Sequence, residues 1–203
     1  MDEKRAAALM LADCLQAMSR SGENAVTALL GEAPFEEWHH YPSGDVSDRL
    51  TGCRFYYHAH GESERVAGEH GHFHTFAPGD DGRLTHLAAI SVDAYGRPFR
   101  LFSVNRWVTD DAWRSDRETA GLVRNFVVDA IRPSWVVSRW LTALVAFYRP
   151  EIEQLICGRE GVFRRLGYSG DRFSPEALED RRIQNLTERT VDLGADLTAA
   201  DVH

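Results

Sequence analysis

The sequence predicts an α+β fold, an antiparallel β-meander of about four strands packed with N-terminal and C-terminal helices, in one domain over residues 1–203. Three observations lead there. Apolar residues recur every third or fourth position before residue 31 and again after residue 105, the helical period. Residues 53–104 alternate instead with period two, the strand period. The connectors within that stretch, Pro78 to Gly82 and Asp93 to Pro98, are rich in Gly, Pro and Asp, as hairpin loops are.

The elements follow in order. From Glu3 to about Met18, Ala7, Met10, Leu11, Cys14, Leu15 and Met18 form one apolar helical face. Asn24 to Leu30 reads as a short second helix closed by Gly31, which completes a helical arm over residues 1–31. Pro34 to Asp48 reads as a loop by its Pro, Gly, Ser and Asp content, and it carries His39, His40 and Tyr41. Four strands follow, Cys53 to His60, His70 to Phe76, Leu84 to Val92 and Phe99 to Val104, within a His-rich sheet region of residues 32–105. Thr109 before Asp110 and Asp111 predicts an N-cap, with a helix from about Asp111 to Ala130. Trp135 to Phe147 is strongly apolar, and Pro150 suits the first turn of a further helix toward Leu166, giving a helical layer over residues 106–170. The tail, residues 171–203, is polar; Ser174-Pro175 starts a last short helix and the final dozen residues are expected to fray.

Composition narrows the function. The 23 basic and 31 acidic residues give a formal charge of -8, without a Lys/Arg cluster, which argues against nucleic acid or an anionic membrane as partner. Cys14, Cys53 and Cys157 are odd in number and far apart, so neither a disulfide framework nor a thiolate zinc site is expected. The apolar run near the N-terminus is preceded by Asp2 and Glu3 and broken by Asp13, unlike a signal peptide. No apolar stretch approaches the roughly 20 residues that span a bilayer. The expectation is a cytoplasmic protein acting on a small molecule.

Five of the nine histidines fall within the seventeen residues from His58 to His74, HAHGESERVAGEHGHFH. In a strand, residues i, i+2 and i+4 line one face. Tyr56, His58 and His60 therefore share a face, as do His70, His72, His74 and Phe76 on the next strand. If the two strands pair around Gly61 to Gly68, opposed side chains come within about 5 Å at Cβ and the imidazoles converge. On the third strand Leu84, His86, Ala88 and Ile90 share a face, which brings His86 into range. His58, His60, His70, His72, His74 and His86 are the expected metal ligands, and imidazole suits iron, copper, zinc and nickel.

Other candidates surround them. Glu62 and Glu64 lie in the hairpin loop and could complete a site of two histidines and a carboxylate; Glu69, opposite in parity to His70, reads as a supporting residue. Tyr56 is a candidate proton donor, and Tyr57 and Cys53 face away from His58. Arg106, where the last strand hands over to a helix, could hold a substrate carboxylate or simply pair with Asp110. The doublet His39-His40 could join the site as ligand or proton shuttle.

The spacing Gly52, five residues, His58-x-His60, three residues, Glu64, six residues, Gly71 resembles the first metal-binding motif of the cupin barrels. That resemblance implies His58, His60 and Glu64 as ligands of iron, manganese or zinc. It covers some twenty residues, and the second cupin motif is not present in the strands that follow. The blocks YYHAHGESERVAGEHGHFHTF, THLAAISVDAYGRP and NRWVTDDAW resemble an uncharacterised bacterial family, a domain of unknown function, from His40 to about Glu160. This second resemblance implies a shared fold and brings no activity with it.

Five or six imidazoles exceed what one ion needs, leaving room for two metals or a catalytic histidine. The expected activity is oxidation of a small molecule at non-haem iron or copper, with Tyr56, Glu64 and Arg106 as candidate catalytic residues. The alternatives are zinc-dependent hydrolysis, a non-catalytic metal sensor, buffer or structural-metal protein, and, further off, a haem binder.

Overall fold

The computed structural model describes residues 2–168 and 174–200. Helices α1 (Glu3–Ser21) and α2 (Ala25–Leu30) open the chain. Asp2 caps α1, and Gly22 ends it at φ 72, in the left-handed region that suits glycine. Asn24 and Thr27 close a capping box on α2.

A six-stranded antiparallel sheet follows in the order β1 (Tyr41–Ser47), β2 (Arg54–His58), β3 (Gly71–Pro78), β4 (Leu84–Val92), β5 (Pro98–Val104) and β6 (Asn185–Thr190). The four expected strands are β2 to β5. The other two are edge strands and correct the sequence reading. The loop expected from Pro34 to Asp48 contains β1, whose pairing with β2 is interrupted between Tyr41 and Val46, with Gly44 at φ 92 and Asp45 at φ 60. An edge strand tolerates such Pro, Gly and Asp residues because half of its backbone groups need no partner strand. The polar NLTERT segment is β6, paired with β5. Charged residues on an exposed edge discourage pairing with other chains, so polarity there is no argument against a strand. The sheet is an open run with β1 and β6 as its edges.

After β5 come α3 (Arg106–Thr109), α4 (Asp116–Arg124), α5 (Trp135–Phe147), α6 (Arg149–Arg165), α7 (Pro175–Leu178) and α8 (Leu193–Ala199). The helix expected over Asp111 to Ala130 is reduced to α4. Thr109 ends α3 instead of capping a helix, and Ser115 with Glu118 forms the capping box of α4. The intervening residues serve the sheet: Ala112 N–H donates to Leu84 O, and Thr85 Oγ1 donates to Ala112 O. At the far end, Val128 and Asp129 donate backbone N–H to Thr142 Oγ1 and Asp48 Oδ2. The expectation of a frayed end gives way to α8, whose Leu193 is buried; residues 201–203 lie outside the described set.

The main core lies between one sheet face and the helices. Phe55, Tyr57, Phe73, Ala88, Ile90 and Leu101 point into it, and Trp140 of α5 meets Phe73 at 5.4 Å between ring centroids. Burying aromatic and branched side chains there contributes about 1.5–3 kcal/mol each. No described helix is long and apolar enough to cross a membrane. The opposite sheet face carries His58, His72 and His74.

Candidate metal centre

The β2–β3 register sets the site. Tyr56 pairs with His74 and His58 with His72, so these four side chains leave the sheet on the same side, away from Tyr57 and Phe73. The His58 and His72 ring centroids are 4.5 Å apart, with His74 at 4.9 Å from His72 and 5.1 Å from His58. One ring nitrogen from each of the three lies within 4.8 Å of the others, so the cluster could hold a metal ion. The two Nε2 atoms of His58 and His72 are 2.8 Å apart.

Two of the three rings are oriented from behind. Glu69 Oε1 accepts a hydrogen bond from His72 Nδ1 at 2.6 Å, and Glu69 Oε2 accepts one from Ser91 Oγ at 2.8 Å. Arg100, held by Glu188, reaches the same carboxylate at 3.6 Å. Burial pushes the Glu69 carboxyl up, but the hydrogen bonds from His72 and Ser91 and the nearby charges outweigh it and hold it below the usual range. With His72 Nδ1 facing Glu69, His72 Nε2 is the nitrogen turned toward His58 Nε2. His74 Nδ1 is engaged by His86 Nε2 at 3.0 Å, which leaves His74 Nε2 as its free ring nitrogen. Burial, reinforced by neighbouring imidazoles, pushes His58 down to about 2 and His74 well below the ordinary histidine value; burial with the Arg159 charge takes His86 to about 3. These rings are neutral, the state in which imidazole binds a metal.

A family model described as a domain of unknown function (DUF6969) matches residues 4–191. The chain belongs to the DUF6969 family. The match runs from α1 to the end of β6, so the family's shared unit includes both edge strands. No curated protein and no solved structure matches this chain.

In this DUF6969 chain the sequence-predicted residues are distributed as follows. His58, His72 and His74 come together. His60 lies beyond the end of β2, with its ring 5.0 Å from His58 and 5.1 Å from His72. His86 is beside His74, but by a different route from the one expected: the β3–β4 register shifts after Thr75, so that Phe76 pairs with His86 while Thr75 pairs with Ala88. Leu87 and Ala88 consequently both enter the core, and His86 parts company with Ala88 and Ile90. His70 is a correction. Strand β3 starts only at Gly71, and His70 turns to the other side, where its Nδ1 meets Tyr57 Oη at 2.5 Å and its ring meets Phe35 at 4.7 Å.

Tyr56 is buried against the cluster, 5.0 Å from His74, and stacked on His40 at 3.8 Å and 9°. Burial, then the charges of Asp45 and Asp111, raise its hydroxyl above the ordinary tyrosine value. His40 is held by Asp45, whereas His39 is exposed beside Glu36. Glu62 and Glu64 form an exposed turn of 3-10 helix outside the triad, contrary to the ligand role that the cupin resemblance implied for Glu64. Arg65 is mostly covered and pairs with Glu37 at 2.6 Å. Arg106 pairs with Asp110 and Glu179 and lines neither cleft beside the imidazoles.

Two clefts flank the cluster. A cavity of about 310 Å³ is bordered by His60, Glu64, His72, His74, Arg100 and Phe102. One of about 490 Å³ lies on the other side, bordered by His40, Arg54, Tyr56, His58 and Asp111. The larger cavity of about 890 Å³ beside α1 and α8 has no imidazole in its lining. Sequence reasoning missed Ser91, Arg100 and Asp111. Their link to the site depends on strand register and, for Asp111, on a side chain that accepts the His86 backbone N–H at 2.6 Å.

Proposed function

We propose that His58, His72 and His74 bind one transition-metal ion and that the protein is a metal-dependent enzyme that oxidises a small molecule at non-haem iron or copper. The observation that carries this is the convergence of three imidazoles on paired strands, with His72 backed by a buried carboxylate, between two clefts. A carboxylate or carbonyl behind a ligand imidazole is the usual means of fixing its tautomer and raising its basicity.

Imidazole donors suit iron and copper as well as zinc. A structural ion is disfavoured because the main core lies on the opposite sheet face and is complete without it. A bound iron or copper ion would supply the one-electron and oxygen chemistry that side chains lack.

The chain's own residues would prepare the site. Glu69 and His86 hold two imidazoles in their ligand tautomers. Tyr56 keeps its proton and is the proposed donor toward the larger cleft. Glu64, at the rim of the smaller cleft, would orient a substrate, and Arg106 would have only a structural part. The free thiols Cys14, Cys53 and Cys157 fit a reducing compartment such as the cytoplasm. The test is azide added to copper-loaded protein. A new charge-transfer band is expected, because an enzyme keeps a position open; an unchanged spectrum would mean a closed site and would remove the enzymatic reading.

A further inference from the structure

We infer that His60 is a fourth imidazole donor to the metal held by His58, His72 and His74, an inference that rests on the metal reading above. Among the described histidines, His60 alone has no hydrogen bond or ion pair at either ring nitrogen; His39, His40, His58, His70, His72, His74 and His86 each have at least one. Its ring is nevertheless half-buried and lines the smaller cleft beside His72 and His74. Both nitrogens lack a protein partner and are not sealed in the interior, so they are open to a ligand from the cleft.

Distance supports the same conclusion. The His60 ring stands 5.0 Å from His58 and 5.1 Å from His72, and His74 stands 5.1 Å and 4.9 Å from the same two rings. His60 is absent from the tight nitrogen group because it follows the last residue of β2 and strand pairing does not hold it. What holds it is an indole. Trp38 stacks on the His60 ring at 4.6 Å and 12° although the tryptophan is 56% exposed and its backbone is left-handed, at φ 68.

The segment carrying Trp38 is tied to both sides of the loop that carries His60. Trp38 N–H donates to Ala59 O at 2.8 Å, and the Glu37 carboxylate pairs with Arg65 at 2.6 Å. Stacking fixes the plane of the imidazole while leaving its edge, where both nitrogens lie, free to turn toward a neighbour. A small shift of this loop would bring a nitrogen to the ion. Four imidazoles still leave two positions of an octahedron for substrate and oxidant.

The test uses the full chain without a histidine tag, labelled with nitrogen-15 and titrated with zinc ion as a diamagnetic probe. Ring nitrogen–proton correlations count the bound imidazoles, and His60→Ala assigns the signal in question. The expected result is that four rings shift together at one equivalent, His60 among them, and that His60→Ala binds zinc at least tenfold more weakly while His39→Ala matches the parent. If His60 does not shift, or if His60→Ala binds as tightly as the parent, the fourth-donor inference is overturned and the three-histidine site stands. If no ring shifts and no zinc binds, the metal reading itself fails.

Discussion

Glu69 and His72 share a 2.6 Å hydrogen bond in which both side chains are only 4% exposed. The carboxylate cannot lose this partner to water, so the bond fixes which ring nitrogen of His72 is free. Glu69→Gln keeps the shape and removes the charge. It is expected to weaken metal binding by about 10–100-fold, the usual effect of losing such a supporting group. Competition against a chromophoric chelator measures it, and unchanged affinity would detach Glu69 from the site.

The buried imidazoles make the metal-free protein sensitive to acid. His58, His60, His74 and His86 all have folded values below the ordinary 6.5, so between 6.5 and those values the unfolded chain binds more protons than the folded one. Stability from these groups is complete above about pH 6.5 and is lost as pH falls, by at most about 1.4 kcal/mol per pH unit for each imidazole. Glu69, also depressed, adds a loss of the same sign below its ordinary 4.5. Urea unfolding of metal-free protein from pH 8 to pH 4 should show a plateau and then a decline starting near 6.5. A flat profile would show the rings to be solvated.

The two sheet faces should separate under mutation. Trp140 is fully buried in the core and packs on Phe73. Trp140→Ala is expected to cost about 3–5 kcal/mol and to leave metal stoichiometry unchanged in whatever fraction remains folded. His72→Ala should do the reverse, abolishing metal binding at a modest stability cost. Chemical denaturation and elemental analysis on both variants check the pair.

Gly71 is where the hairpin admits no side chain. A Cβ there would lie 2.6 Å from His58 O and against the Tyr57 hydroxyl. Gly71→Ala must spread β2 from β3, the pairing that aligns His58 with His72. A loss of about 1–3 kcal/mol is expected, with weaker metal binding alongside it. Melting curves with and without metal measure both effects.

The legible part of this protein is the part governed by strand parity. Alternation from Tyr56 to His74 placed His58, His72 and His74 on one side and Tyr57 on the other without knowledge of the register. Parity failed where the strand stopped or slipped. His70 lies one residue before β3 begins and follows its own path to Tyr57, and the β3–β4 irregularity gave His86 different companions from those that counting predicts. The edge strands β1 and β6 were hidden because an edge need not alternate in hydrophobicity. Asp111 looked like a helix start, since an acidic residue after Thr109 satisfies a helix dipole as readily as it accepts the backbone N–H of His86. Arg100 and Ser91 reach Glu69 only across strands that sequence spacing does not align.

The most direct test of the central claim is equilibrium dialysis of the tag-free full chain against micromolar iron(II), copper(II) and zinc(II), with the bound metal counted by elemental analysis and His72→Ala run in parallel. The account predicts one tightly bound ion per chain in the parent and none in the variant. No retained metal in the parent, or equal retention in His72→Ala, would contradict it.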